Sequence, residues 1–173
     1  MNRMQIALVC AGVAVVCAAR AEEKPAENLC QPGEAVYFNC VTAKQKSISL
    51  CGSPDLSKPA AYLQYRFGKK DSAELVYPED KKDSLKKFEY SHFFRPQTDR
   101  FWLGFDNAGY SYSIFMNYEA PDPFEAGVSV TTPDGKEGEV KCQSEPELKA
   151  DELEKVLQCN NEELSELGCP QGE

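Results

Sequence analysis

The chain has 173 residues, with 28 acidic against 19 basic side chains and a net charge of −9 when its one histidine is neutral. That sign works against binding nucleic acid or anionic lipid, which attract basic surfaces. It permits a basic protein partner, and the length is one domain's worth of chain.

Residues 1–21 read as a secretory signal peptide. Met1-Asn2-Arg3 is a short basic start, an uncharged apolar stretch follows, and Ala19-Arg20-Ala21 is an A-x-A cleavage site. The apolar run is shorter than the roughly 20 residues a spanning helix needs, so no membrane span is expected. A lipoprotein would use Cys17, but Val15-Val16 before it suits that processing poorly. Cleavage after Ala21 removes Arg3 and Arg20, leaving 17 basic against 28 acidic residues, a net charge of −11. The implied location is the periplasm or the extracellular medium.

Cys10 and Cys17 leave with that segment, while Cys30, Cys40, Cys51, Cys142, Cys159 and Cys169 remain. An even number in an exported chain argues for disulfides. No C-x-x-C occurs, which argues against a zinc site or a thiol–disulfide oxidoreductase.

A polar leader, residues 22–34, precedes the region that carries the fold, residues 35–142. AVYFNCVT, SISLC, AAYLQYRFG and SAELVY alternate apolar and polar residues between turn signals, the pattern of two consecutive antiparallel hairpins. Val36, Phe38 and Cys40 share one face of the first strand. Ile48 and Leu50 share one face of the second, with Ser47, Ser49 and Cys51 on the other. Matching the apolar faces pairs Cys40 with Leu50 and Thr42 with Ile48. Leu63, Tyr65 and Phe67 mark the third strand, and Ala73, Leu75 and Tyr77 the fourth.

Residues 79–87 read as a charged, solvated loop. Phe88, Tyr90, His92 and Phe94 then align on one face, a turn covers residues 96–99, and Phe101, Leu103 and Phe105 align with Trp102 on the opposite side. A strong turn signal at residues 106–109 leads into Tyr110, Tyr112, Ile114, Met116 and Tyr118 on one face. Val128 and Val130, the turn Pro133-Asp134-Gly135, and Val140 with Cys142 complete the series. Past Cys142 the period changes. Leu153, Val156 and Leu157 are spaced as on one face of a helix over residues 150–158, and residues 161–167 can add a turn or two. The expected fold is all-β: an antiparallel sandwich or barrel of eight to nine short strands, disulfide-bonded, with a short C-terminal helical tail at residues 143–173.

The facing of the strands selects among disulfides. Cys40 points inward and Cys51 outward, so their Cβ atoms cannot approach within the required 3.5–4.5 Å or so. Cys159 and Cys169 are close in sequence and isolated from the strands, so they should pair within the tail. The facing then predicts Cys40–Cys142 in the core and Cys30–Cys51 between leader and strand.

The segments AVYFNC, SISLC, YLQYRFG, ELVYP and AGVSVTTPDGKEGEVKC resemble an uncharacterised family of small secreted bacterial proteins, from Cys30 to Cys142. The resemblance implies a similar β-domain and brings no named activity. Tyr37-Phe38-Asn39-Cys40 and Ala108-Gly109-Tyr110 also bear a weak likeness to periplasmic inhibitors of chicken-type lysozyme. Those are small exported β-barrels with an early Y-x-C and a mid-chain Gly-Tyr loop. This chain has one residue too many in the first motif, and Ala108 stands where that family carries serine.

No catalytic residue emerges. His92 lies among apolar residues on one strand face and reads as a partly buried structural histidine, and no G-x-S-x-G elbow exists. No spacing selects a glycosidase-like carboxylate pair, and Asp106, Asn107, Asp122 and Glu125 lack calcium-loop spacing. No cofactor or metal is expected. Trp102, Asp106, Asn107, Tyr110 and Tyr112 form the candidate interaction surface, because Trp and Tyr bury much area at low entropic cost. The expected function is an exported, non-enzymatic binding protein, an inhibitor or immunity-type protein for a basic partner enzyme. The alternatives are a structural, envelope-associated domain without a dedicated ligand, and a carboxylate-dependent hydrolase.

Overall fold

Alternating side chains from residue 35 onward fold into two meanders, one per sheet. The structure, a computed structural model, describes residues 27–160 and Cys169. The signal-peptide reading and the helical turn expected at residues 161–167 lie outside them. β1 (Ala35–Val41), β2 (Ser47–Gly52), β3 (Leu63–Lys69) and β4 (Ser72–Tyr77) make the first sheet. β5 (Glu89–Arg95), β6 (Thr98–Asn107), β7 (Tyr110–Glu119), β8 (Glu125–Thr131) and β9 (Glu137–Lys141) make the second. The last part of the chain then adds to both. β10 (Glu147–Leu148) pairs with β1, the helix α1 (Ala150–Glu154) follows, and β11 (Gln158–Cys159) pairs with β5, parallel where every other pairing is antiparallel. The result is an open all-β sandwich of two sheets, not a closed barrel.

The core lies between the sheets. Phe38, Cys40, Ile48, Leu50, Leu63 and Tyr65 face Tyr90, Phe101, Leu103, Phe105, Ile114 and Val128, all buried. Each such large apolar side chain stabilises the fold by about 1.5–3 kcal/mol. Tyr77, Phe105 and Tyr112 stack in a column, with ring centroids 4.6 and 4.8 Å apart.

The first hairpin keeps the expected facing but not the expected register. Cys40 opposes Ile48 and Phe38 opposes Leu50, two residues away from the pairing of Cys40 with Leu50. Thr42 does not pair with Ile48; it bridges Cys142. A slip of two preserves the face of every side chain, because the strand period is two. A bulge between Val36 and Phe38 turns Val36 onto the outer face opposite Cys51, against the expectation that Val36 shares a face with Phe38. Cys40 joins Cys142 with Cα atoms 5.6 Å apart, Cys30 joins Cys51 at 5.2 Å, and Cys159 joins Cys169 at 5.8 Å. The first two are the pairs given by strand facing, and the third joins the two tail cysteines that lie close in sequence.

The outer face of the first sheet is polar yet buried, because residues 27–34 lie across it as a strap. Ser47 donates to the Glu27 carbonyl, Leu29 N–H donates to Ser49, and Ser49 donates to Asn39. Arg66 donates to both carboxylate oxygens of Glu34 at 2.6 and 2.8 Å, and also to the Leu29 carbonyl and to Gln64. The side chains of Arg66 and Glu34 are only 6% and 3% exposed. Burial alone would raise the Glu34 pKa, but hydrogen bonds from Arg66, the Gln31 N–H and Tyr62 outweigh it and hold the carboxyl at about 2.

Three expectations change. Residues 79–87 are not wholly solvated. A 3₁₀ turn at Ser84–Lys87 buries Ser84, whose hydroxyl accepts from the Leu63 N–H. The helix spans five residues rather than 150–158, and the chain then becomes strand β11. Residues 147–159 of the tail are built into the fold, since Leu153 and Leu157 are buried in the main core and β10 and β11 extend both sheets.

The turn between β6 and β7 holds Ala108 at φ 52° and Gly109 at φ 84°. This is a two-residue hairpin loop that needs positive φ at both positions. An alanine there is strained by roughly 1 kcal/mol. Ala108→Asn is expected to raise stability by about 0.5–1 kcal/mol, read from urea unfolding midpoints. A loss of stability would contradict this reading of the turn.

Candidate functional site: an acid-rimmed cleft

β6 and β7 are ten residues long, whereas the strands of the first sheet have seven or fewer. At the end carrying the β5–β6 turn, the second sheet therefore outruns the first, and its inner face opens to solvent. The floor of the resulting cleft is His92, Phe94, Asp99, Met116 and Tyr118, with Phe124 beside it. α1 and the segment before it form the wall, and the cleft encloses about 1080 Å³.

Register builds the floor. Asp99 stands directly opposite Phe94 on β5 and Tyr118 on β7, so an aromatic ring flanks the carboxylate on each side. Phe94 is 72% exposed and Tyr118 40%. Phe94 was expected to join the core face with Phe88, Tyr90 and His92. It does keep the inward facing of Tyr90 and His92, but it lies in the open cleft and stays exposed.

One row deeper, His92 lies against Phe101, with ring centroids 5.7 Å apart. Its Nδ1 is 2.5 Å from Glu154 Oε1 on α1, and its Nε2 is 2.8 Å from Asp99 Oδ1. Two carboxylate oxygens can only accept, so both contacts are hydrogen bonds when both ring nitrogens carry protons. Burial opposes that charge, but the bonds to Asp99 and Glu154 outweigh it and raise the His92 pKa above its ordinary value. The side chain is 17% exposed, facing the cleft. The remaining charged lining is Glu145 and Lys149 before the helix, Asp151 and Glu152 on it, and Lys155 after it.

The residues picked from the sequence as an interaction surface do not meet. Trp102 is on the outer face of the second sheet, opposite Phe115 and laid across Gly104, where any Cβ would collide with its ring. Tyr112 is on the inner face, stacked on Phe105. Tyr110 and Asn107 flank the β6–β7 turn, with Tyr110 39% exposed, and Asp106 accepts from Ser111 on the outer face. This turn is at the opposite end of β6 from Asp99, on the order of 25 Å away along the strand. Cys30, Glu34 and Cys51 also cluster within 4.8 Å of one another. The two sulfurs are bonded together and Glu34 serves Arg66, so the group has no ligand set to offer a metal. Among the described residues, no helix is long and apolar enough to cross a membrane.

Little in the sequence marks this cleft. Glu154 lies 62 residues from its partner His92. Asp99 falls within the expected turn at residues 96–99, whereas the loop is only Pro96-Gln97 and Asp99 belongs to β6. Gln97 takes φ 69°, a position where glycine or asparagine would have announced the tight turn. No family model matches the chain, and no curated protein or solved structure gives a significant match to it.

Proposed function

We propose that the protein is an exported, non-enzymatic binding protein, acting in the periplasm or outside the cell, that docks a basic protein through the cleft. The observation that carries this reading is the exposed Phe94–Asp99–Tyr118 row, rimmed by carboxylates on a chain of net charge −9. Exposed aromatic side chains supply anchoring area, and the acids select a cationic partner and speed its approach. An inhibitor or immunity-type role toward a basic hydrolase is the form this reading takes. The Ala108-Gly109-Tyr110 turn that carries the lysozyme-inhibitor likeness lies at the other end of β6 and is no part of the cleft. A purely structural envelope domain leaves the exposed Phe94 without a purpose.

The test is calorimetric titration against a panel of basic exported hydrolases that includes a chicken-type lysozyme. Binding that weakens with salt, and at least about tenfold with Phe94→Ala and Tyr118→Ala combined, is the expected result. An affinity indifferent to both changes, or no binding across the panel, would sink the proposal. The acids gathered in the cleft favour a second reading, a carboxylate-dependent hydrolase. It ranks lower because Asp99 and Glu154 are both engaged by the ring nitrogens of His92.

A further inference from the structure

We infer that the cleft binds a guanidinium or ammonium side chain of its partner by exchange against the proton of His92, so that one proton leaves for each cation seated. The inference rests on the binding reading above and names the group that is recognised.

The geometry carries it in three parts. First, a protonated His92 is a resident cation. It bridges Asp99 of β6 and Glu154 of α1, two carboxylates from separate elements, and occupies the charge that an incoming cation would seek. Second, Asp99 is shared. One side meets His92, and the same residue stands between Phe94 and Tyr118, whose exposed rings offer cation–π contact to a group placed over the carboxylate. Third, His92 can give way without leaving a buried group stranded. Once it releases one proton to water, the neutral ring keeps a single N–H for one carboxylate and frees the other for the entering cation.

The remaining charges do not duplicate this role. Lys149 is 3.9 Å from Glu152, which already partners it on the wall. Glu145, Asp151 and Lys155 line the cleft, whereas the hydrogen-bond partners of the imidazole are Asp99 and Glu154. Phe93 and Arg100 belong to the opposite face of the sheet, where Arg100 and Arg95 both engage Glu119. Cation and proton therefore compete for one pair of carboxylates, and linkage requires each to weaken the other by the same factor.

The sign follows directly. A cation that favours the neutral imidazole binds more tightly as pH rises through the His92 midpoint, and its binding lowers that midpoint. His92 is the only histidine in the chain, so its ring resonances in a proton–nitrogen spectrum need no assignment. The experiment titrates His92 in the disulfide-intact protein across about pH 5 to 9, alone and with a blocked arginine-containing tripeptide. The same peptide with citrulline for arginine is the neutral control.

The expected result is a His92 midpoint lowered by the arginine peptide and not by the citrulline peptide. Affinity should be roughly fivefold or more tighter above the midpoint than below it. His92→Gln, checked for folding by near-ultraviolet circular dichroism, should bind at low pH as tightly as the parent does at high pH. An unmoved midpoint, an equal shift with citrulline, tighter binding at low pH, or no peptide binding would each overturn the inference. A basic hydrolase that binds without moving His92 would overturn the exchange and leave the binding function standing. Loss of hydrolase binding alone, with the peptide exchange intact, would remove the protein partner and keep the cation site.

Discussion

Arg66→Ala is expected to destabilise the protein by about 3–5 kcal/mol, the effect of stranding a buried charge. Glu34 would keep its carboxylate under the strap with Tyr62, the Gln31 N–H and the half-exposed Lys81 ammonium, 3.4 Å away, as donors, but without the buried bidentate guanidinium that holds both its oxygens. The Leu29 carbonyl and Gln64 would also lose a donor. Replacing the pair together, Glu34→Gln with Arg66→Met, is expected to cost less than Arg66→Ala alone, since no charge is then left unpaired. Acid should reveal the same pair. The Glu34 pKa is depressed to about 2 in the folded protein, so its contribution is complete above the unfolded carboxyl range near 4.5 and fades as pH falls toward 2. In Arg66→Ala that acid-dependent loss should shrink. Urea unfolding at neutral and low pH measures both effects, and a neutral-pH loss under about 1 kcal/mol would show that the strap is held by other contacts.

Removing Cys40–Cys142 is the second large effect. This bridge spans 102 residues and ties the first strand of one sheet to the end of the last strand of the other. Loop-closure entropy assigns roughly 4.7 kcal/mol to a loop of about that length. The tail bridge Cys159–Cys169 closes ten residues, for which the same relation gives less than about 3 kcal/mol. Paired replacements by alanine, Cys40→Ala with Cys142→Ala against Cys159→Ala with Cys169→Ala, should therefore unfold in that order, with the core pair much the weaker variant. The backbone around Cys142 persists without sulfur, since its N–H donates to the Ala126 carbonyl and the Gln143 N–H to that of Val41. Equal denaturation midpoints for the two variants would contradict the entropic account.

Sequence patterning reports the face of a side chain more securely than its neighbour across the ladder. The first hairpin was displaced by two residues, yet Cys40 still pointed inward and Cys51 outward, and the facing of the sulfurs follows from that alone. What patterning cannot report is a strand too short to alternate. β10 and β11 are two residues each and carry no period, so residues 150–158 read as helix from Leu153, Val156 and Leu157, and nothing before or after it marks these two strands. Those leucines are buried, but as a plug between sheets rather than one face of a free helix. The cleft was hidden for a related reason. Apolar alternation in β5 places Phe94 on the core face, and only the unequal strand lengths of the two sheets leave it exposed. Trp102 was rightly placed opposite Phe101 and Leu103, but nothing in its spacing told that Tyr112 would stack into the column of Tyr77 and Phe105.

The return of the chain end to both sheets also has a kinetic consequence. β1 to β4 and β5 to β9 each pair with their sequence neighbours, so each meander can close hairpin by hairpin over short loops, the fast class of contact. Apart from the Thr42–Cys142 bridge, the strand pairings that join distant parts of the chain are those of β10 and β11 with β1 and β5. Rate-limiting capture should therefore fall on residues 147–159, with Leu153 seating last between two sheets that are already formed. Cys40 needs only the docking of the two sheets to meet Cys142, and because it faces away from Cys51, the geometry that selects its native partner also shields it from the nearer wrong one.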